Sequence, residues 1–212
     1  MNEIQRSKII LKILNKIYPK TPIPLKHRNK FTLLVSVLLS AQTTDVNVNN
    51  VTKNIYPKYN KPEHFVKLGR KKIENLIKSI GIFRVKAKSV YLLSKQLIEK
   101  HNGKVPNNFE DLYDLPGVGR KTASVVLNEG FGLPTIAVDT HVFRVSNRTG
   151  LAPGKNPDEV QKKLYEVVPK KYLKKAGHTI LLHGRYTCKA RAPSCKTCVI
   201  IKYCKYNYKE LR

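Results

Sequence analysis

Apolar residues recur along this chain at steps of three and four, as in Ile10, Ile13, Leu14 and Ile17, and again in Ile73, Leu76, Ile77 and Ile80 before Gly81. A 3.6-residue repeat places such a set on one face of a helix, whereas a half-buried strand needs alternation, which is nearly absent here. The pattern therefore predicts an all-α protein. Helices are expected over 31–41, 45–56, 85–101, 119–130, 140–148, 158–167 and 172–186, with a short one from Phe109 to Asp114. Thr44, Gly103 and the pair Asn156-Pro157 mark ends, because Asn can cap a helix and Pro can occupy its first position. No low-complexity stretch or solenoid repeat interrupts the chain. Its 212 residues, 41% of them hydrophobic, suffice to bury a sizeable core.

The charge narrows the class of partner. Forty-one Lys and Arg against 14 Asp and Glu give +27, which fits a polyanion such as nucleic acid better than a small acidic metabolite. The excess lies in residues 1–100 and 151–212, while 101–150 is neutral. Lys also outnumbers Arg about threefold, as an AT-rich genome would produce unaided, so part of the charge is compositional. The strongest apolar run, Phe31 to Ala41, is too short to cross a bilayer, and Ile9-Ile10-Leu11 is no signal-peptide core. A cytoplasmic, nucleoid-associated protein acting as a monomer is expected. In a reducing compartment, four cysteines confined to the tail suit metal better than disulfides.

Two local patterns carry chemistry. Leu115-Pro116-Gly117-Val118-Gly119-Arg120-Lys121-Thr122-Ala123 lies between a short helix and an apolar one. Gly117 and Gly119 permit positive φ and leave backbone N–H groups uncovered at a helix start, an arrangement that holds a phosphate without reading sequence. The cysteines are spaced Cys188-x6-Cys195-x2-Cys198-x5-Cys204. Structural zinc usually takes two tight pairs, so the spacing is atypical for zinc, yet by ligand chemistry both zinc and a [4Fe–4S] cluster remain open.

Leu115 to Ala123 resembles the helix-hairpin-helix of the endonuclease III family of DNA glycosylases. Leu39-Ser40-Ala41-Gln42-Thr43-Thr44-Asp45, Thr135 to His141 and the cysteine spacing agree, in order, from about residue 5 to residue 205. The resemblance implies two helical domains with a cleft between them, one over 23–133 and the other made of 1–22 plus 134–212, with Lys121 opposite Asp139. It implies a bifunctional glycosylase and lyase that acts on duplex DNA carrying damaged pyrimidines or abasic sites. Lys121 would be the nucleophile, partly desolvated so that its charged form is disfavoured. Asp139 would stabilise positive charge on the sugar as well as cap the next helix. The four cysteines would bind a [4Fe–4S] cluster, which closes a loop presenting Lys189 and Arg191 to phosphate. Gln42 and Ile82 would fill the gap left by an extruded nucleotide, Ile82 standing where the family has leucine. A similar family, the adenine-mismatch glycosylases, lacks the hairpin lysine and carries a further C-terminal domain. A non-catalytic DNA-binding module with structural zinc is the rival of a different class.

Overall fold

A computed structural model describes residues 1–19 and 23–207. The three residues at which the N-terminal domain segment was expected to end, and the last five of the chain, lie outside them. Ten α-helices are described: α1 Glu3–Ile17, α2 Lys30–Leu39, α3 Asp45–Ile55, α4 Pro62–Leu76, α5 Phe83–His101, α6 Phe109–Tyr113, α7 Arg120–Phe131, α8 Thr140–Thr149, α9 Pro157–Val167 and α10 Lys170–Tyr186. No strand is found among the described residues. No helix among them is long and apolar enough to cross a membrane.

The chain divides into two compact units, Ile23–Gly132 and a second made of Met1–Pro22 with Leu133–Arg212. In the continuous unit α2 is the axis. Every residue from Phe31 to Leu39 is buried, as expected of a helix apolar on all sides. Asn29 caps it by accepting from the Thr32 N–H, while the Thr32 hydroxyl reaches back to the Asn29 N–H. The helix α5 lays Ala87, Val90, Leu93 and Leu97 into the same core. One expectation shifts here. The helix predicted around Ile73 to Ile80 begins at Pro62 and ends at Leu76, so Ile80 is buried in a turn beyond it. Gly69, at φ +71° inside α4, breaks the repeat that would have revealed the earlier half.

The discontinuous unit packs α1 against α10 and α9, and α10 against α8. The buried stripe of α1 is Ile10, Leu11 and Leu14, with Ile17 left largely exposed because the helix ends there. The helices α8 and α10 approach closely at Gly184, where a Cβ would stand 3.0 Å from the His141 Cβ and from a Val145 methyl.

Arg6 occupies the position on α1 four residues before Ile10 and is only 5% exposed. Its guanidinium donates to the carbonyls of Thr149 at 2.8 Å, Gly150 at 2.5 Å and Tyr203 at 2.8 Å, and pairs with Glu3. These bonds tie the first helix to the end of α8 and to the cysteine-bearing tail. Replacing Arg6 with Leu strands three carbonyls and should destabilise the protein by about 2–4 kcal/mol, with Tm lowered by roughly 5–15 °C. Lys12→Leu on the exposed side of the same helix should change stability by less than about 0.5 kcal/mol. Thermal unfolding of both variants measures the contrast.

Candidate functional site

The hairpin joins α6 to α7. Leu115 and Val118 anchor it in the core, and the Val118 N–H closes a tight turn onto the Leu115 carbonyl at 3.0 Å. The two glycines differ. Gly117 lies at φ +80°, and a Cβ there would sit 2.6 Å from the Ser89 Cβ and Oγ and 3.2 Å from a Leu38 methyl. Gly119 lies at φ −91°, ψ 173°, extended backbone open to any residue. The expectation that both glycines serve a positive φ is thus corrected for the second. Among the described residues, no atom outside its own chain neighbours comes within 4 Å of a Cβ built at Gly119. It is the N-cap of α7, and no side chain caps that end. The open space and the uncapped N–H groups coincide, which is the requirement for a phosphate to come close to the backbone.

Lys121 stands in the first turn of α7 and is exposed, with no hydrogen bond or ion pair among the described residues. The expected partial desolvation is therefore absent from the DNA-free protein. Arg120 beside it lies over the stacked rings of Phe109 and Tyr113.

Two further loops meet near the hairpin. Gln42 (φ +53°) and Ile82 (φ +50°) both adopt the left-handed region and both are exposed, Ile82 at 53%. A Cβ at Gly81 would lie 3.5 Å from the Gln42 carbonyl, so the loops touch. The Lys86 ammonium, on α5, donates to the carbonyls of Leu39 and Ala41 and to the Thr43 hydroxyl. Leu38 and Ser89, which crowd Gly117, belong to α2 and α5. The end of α2 and the start of α5 thus gather Gln42, Ile82 and the hairpin in one unit.

The remaining predicted residues lie in the other unit. Asp139 caps α8: its Oδ1 accepts from the N–H of His141 at 2.9 Å and of Val142 at 2.8 Å. Both cap bonds use one oxygen, and Oδ2 makes no hydrogen bond among the described residues. Asp139 is half-buried and follows the buried Ile136 and Val138 in the chain. His141 meets Arg144 through Nδ1 at 3.1 Å, and Arg144 also donates to the carbonyls of Cys188 and Gly184.

Cys188, Cys195, Cys198 and Cys204 line one cavity, with Ile200, Ile201 and Pro193 among its apolar walls. Burial pushes the thiols of Cys195, Cys198 and Cys204 up, and the neighbouring sulfurs push them further. Buried thiols crowded in this way are disfavoured as thiolates unless positive charge is placed among them. His183 turns Nε2 to the Cys198 sulfur at 3.7 Å, and burial lowers its pKa to about 4, so the imidazole is neutral. Arg148 donates to the carbonyls of Lys189 and Ala190 and holds the loop between the first two cysteines. Lys189 and Arg191 stand exposed on that loop.

Sequence reasoning missed Arg6, Lys86, Arg148 and His183. Arg6 and Lys86 had a signal, since each is a cation at a stripe position of its helix, before Ile10 and Leu14 and before Val90, Leu93 and Leu97.

Residues 35–170 match the family model described as HhH-GPD superfamily base excision DNA repair protein. The chain is 51% identical to Endonuclease III of Rickettsia prowazekii over 197 residues, 93% of each chain. It is 48% identical to Endonuclease III of Escherichia coli over 212 residues, 99% of each chain. In three dimensions it is similar to a trapped endonuclease III–DNA covalent intermediate, with TM-score 0.92, 42% identity and both chains covered in full.

The contrast between the glycines yields a prediction. Gly117→Ala should destabilise the protein by about 2–4 kcal/mol, from left-handed strain and from the clash with Ser89. Gly119→Ala should leave stability within about 0.5 kcal/mol yet weaken binding to lesion-free duplex about tenfold, because a methyl group holds the phosphate off the N–H groups. Thermal unfolding and fluorescence anisotropy separate the two.

Proposed function

The chain belongs to the endonuclease III family, within the HhH-GPD superfamily of base excision DNA repair proteins, as a DNA glycosylase with AP lyase activity, and we propose that it removes oxidised pyrimidines from duplex DNA and then cuts 3′ to the abasic site. One observation carries the proposal. Lys121 is an exposed amine, without a partner among the described residues, in the first turn of a helix whose N-terminus stands open at Gly119.

In this reading the hairpin N–H groups and the positive end of α7 hold a backbone phosphate, and Lys121 then lies beside the sugar. The ammonium is exposed to water in the free protein. DNA closing over it removes that water and disfavours the charged form, and the helix N-terminus acts in the same sense. The neutral amine bonds to C1′ of the damaged nucleotide as the bond from C1′ to the base breaks, and the base departs with the electron pair and takes up a proton. Opening of the sugar ring leaves a Schiff base between Lys121 and C1′. Removal of a proton from C2′ then expels the phosphate at C3′ and cuts the strand. Asp139 stabilises the positive charge on the sugar with the oxygen its cap bonds leave free, and serves the proton transfers.

The target nucleotide must leave the stack before C1′ can be reached. Gln42 and Ile82, exposed on touching loops, occupy the space it vacates. Lys189 and Arg191 meet phosphate from the cysteine loop. Cys188, Cys195, Cys198 and Cys204 would hold a [4Fe–4S] cluster, supported by their shared cavity and by a spacing with one close pair where structural zinc usually takes two. When bound, the cluster would supply positive charge that keeps the thiols ionised and would close the loop; chemistry at a sugar needs no electron transfer. The protein acts on the chromosome in the cytoplasm as a single chain.

Lys121→Ala should abolish the borohydride-trapped adduct with duplex DNA bearing one oxidised pyrimidine and slow strand cleavage by about 10³-fold or more, with binding retained. A normal yield of adduct would remove Lys121 from its role. Asp139→Asn still caps α8 and should keep Tm within about 2 °C. Single-turnover base release should nevertheless fall about 10²-fold. Release at the parent rate would leave capping as the whole function of Asp139.

A further inference from the structure

Lys86 is 3% exposed, the most deeply buried Lys or Arg among the described residues. It lies one turn into α5, with apolar neighbours, and desolvation lowers its pKa. Its Nζ has three N–H groups and meets three acceptors, the Leu39 carbonyl at 2.9 Å, the Ala41 carbonyl at 2.6 Å and the Thr43 Oγ1 at 2.9 Å. Cohesion alone gives no reason for such a group, because an apolar side chain of the same volume serves a core as well as a buried charge does. What a buried, fully bonded ammonium adds is a fixed geometry for the groups around it. Its acceptors bracket Gln42 on both sides.

The same lysine is tied to Ile82. The backbone N–H groups of Lys86 and Val85 both donate to the Ile82 carbonyl, at 3.2 and 3.1 Å. Ile82 therefore keeps its position relative to Lys86 through one helical turn, and Gln42 keeps its position through the ammonium. Asn47 Nδ2 donates to the Ser79 carbonyl at 3.0 Å and adds a second stitch between the loops. Both tips hold left-handed backbone, which an L residue with a side chain keeps only when its surroundings over-determine it.

We propose that Lys86 is a positioning residue that locks Gln42 and Ile82 into one rigid two-pronged wedge, so that both enter the duplex together when a nucleotide is extruded. This rests on the reading above in which those two residues fill the vacated space. A wedge ordered beforehand spares the complex the cost of ordering two loops while bases unstack. The step it governs is extrusion, upstream of the chemistry of Lys121.

The test uses the full-length, cluster-bearing protein and duplexes with 2-aminopurine beside one oxidised pyrimidine or beside a preformed abasic site. Lys86→Met keeps the volume and removes the three donors. Stopped-flow fluorescence should show extrusion of the damaged base slowed about tenfold, and single-turnover base release should fall to match. Cleavage at the preformed abasic site, where no base has to unstack, should stay within about threefold. Thr43→Val, which deletes one acceptor, should act in the same direction by about threefold. In a Gln42→Ala/Ile82→Ala background, Lys86→Met should add less than about twofold, because the residues act as one device.

A purely structural lysine gives another pattern: Tm falls, while extrusion measured well below the midpoint keeps the parent rate, or the effects of the three substitutions multiply. Either result overturns the proposal, as does normal extrusion by the Gln42→Ala/Ile82→Ala variant. Failure of the parent protein to cut or trap the abasic duplex would instead overturn the glycosylase and lyase reading itself.

Discussion

A helix ends with carbonyls that have no partner within it, and the negative end of its dipole sits at the same place. In each unit of this protein a buried cation from a different helix answers that need. Arg6 on α1 takes the carbonyls of Thr149 and Gly150 where α8 stops, together with that of Tyr203 in the tail. Lys86 on α5 takes those of Leu39 and Ala41 where α2 stops. Lys86 joins the end of α2 to the segment that follows it, which carries Gln42, whereas Arg6 joins the end of α8 to the distant tail at Tyr203, beside the last of the cysteines. Both segments are thus fastened to helix ends by charge in a dry setting where each bond counts for more than it would in water.

The cations that face solvent form a separate population. Lys121, Lys189 and Arg191 are exposed, and the last two are presented on a loop whose own backbone is gripped by Arg148. Much of the +27 resembles Lys12 and Lys16, spread over outer helix faces where it adds to a general field. Lys189 and Arg191 differ from the others in having a scaffold beneath them, in which Arg148 takes part. Asp139 shows a like economy on the acidic side, one oxygen holding the start of α8 and the other left available.

The helices were legible from spacing alone wherever an apolar stripe ran unbroken, as in α1, α5 and α9, the last begun by Asn156-Pro157 as expected. The repeat gave no warning of the first half of α4, because Gly69 resets the phase. Lys121, Asp139 and the cysteines were singled out by motif, since their spacing along the chain is itself the signal. Lys86 and Arg6 went unread for the opposite reason. They sit where an apolar residue belongs, and a pattern search counts such positions as errors. The difference between Gly117 and Gly119 was hidden as well, since glycine in sequence does not say whether it serves a turn, a close neighbour or a ligand.

The cysteine-bearing unit is assembled from both ends of the chain, whereas the hairpin unit is continuous. Arg6 meets its first carbonyl partner 143 residues further on and another 197 residues away. On a ribosome, α2 to α7 can close their core while the tail is still being made, since domains fold as units and contacts close in sequence form first. The opening helix has to wait, its apolar stripe without a partner, until α8 to α10 and then Tyr203 have emerged. The order of synthesis thereby becomes an order of maturation: the unit bearing Lys121 is finished early, and the unit bearing Asp139 can be completed only after Cys204 has left the exit tunnel.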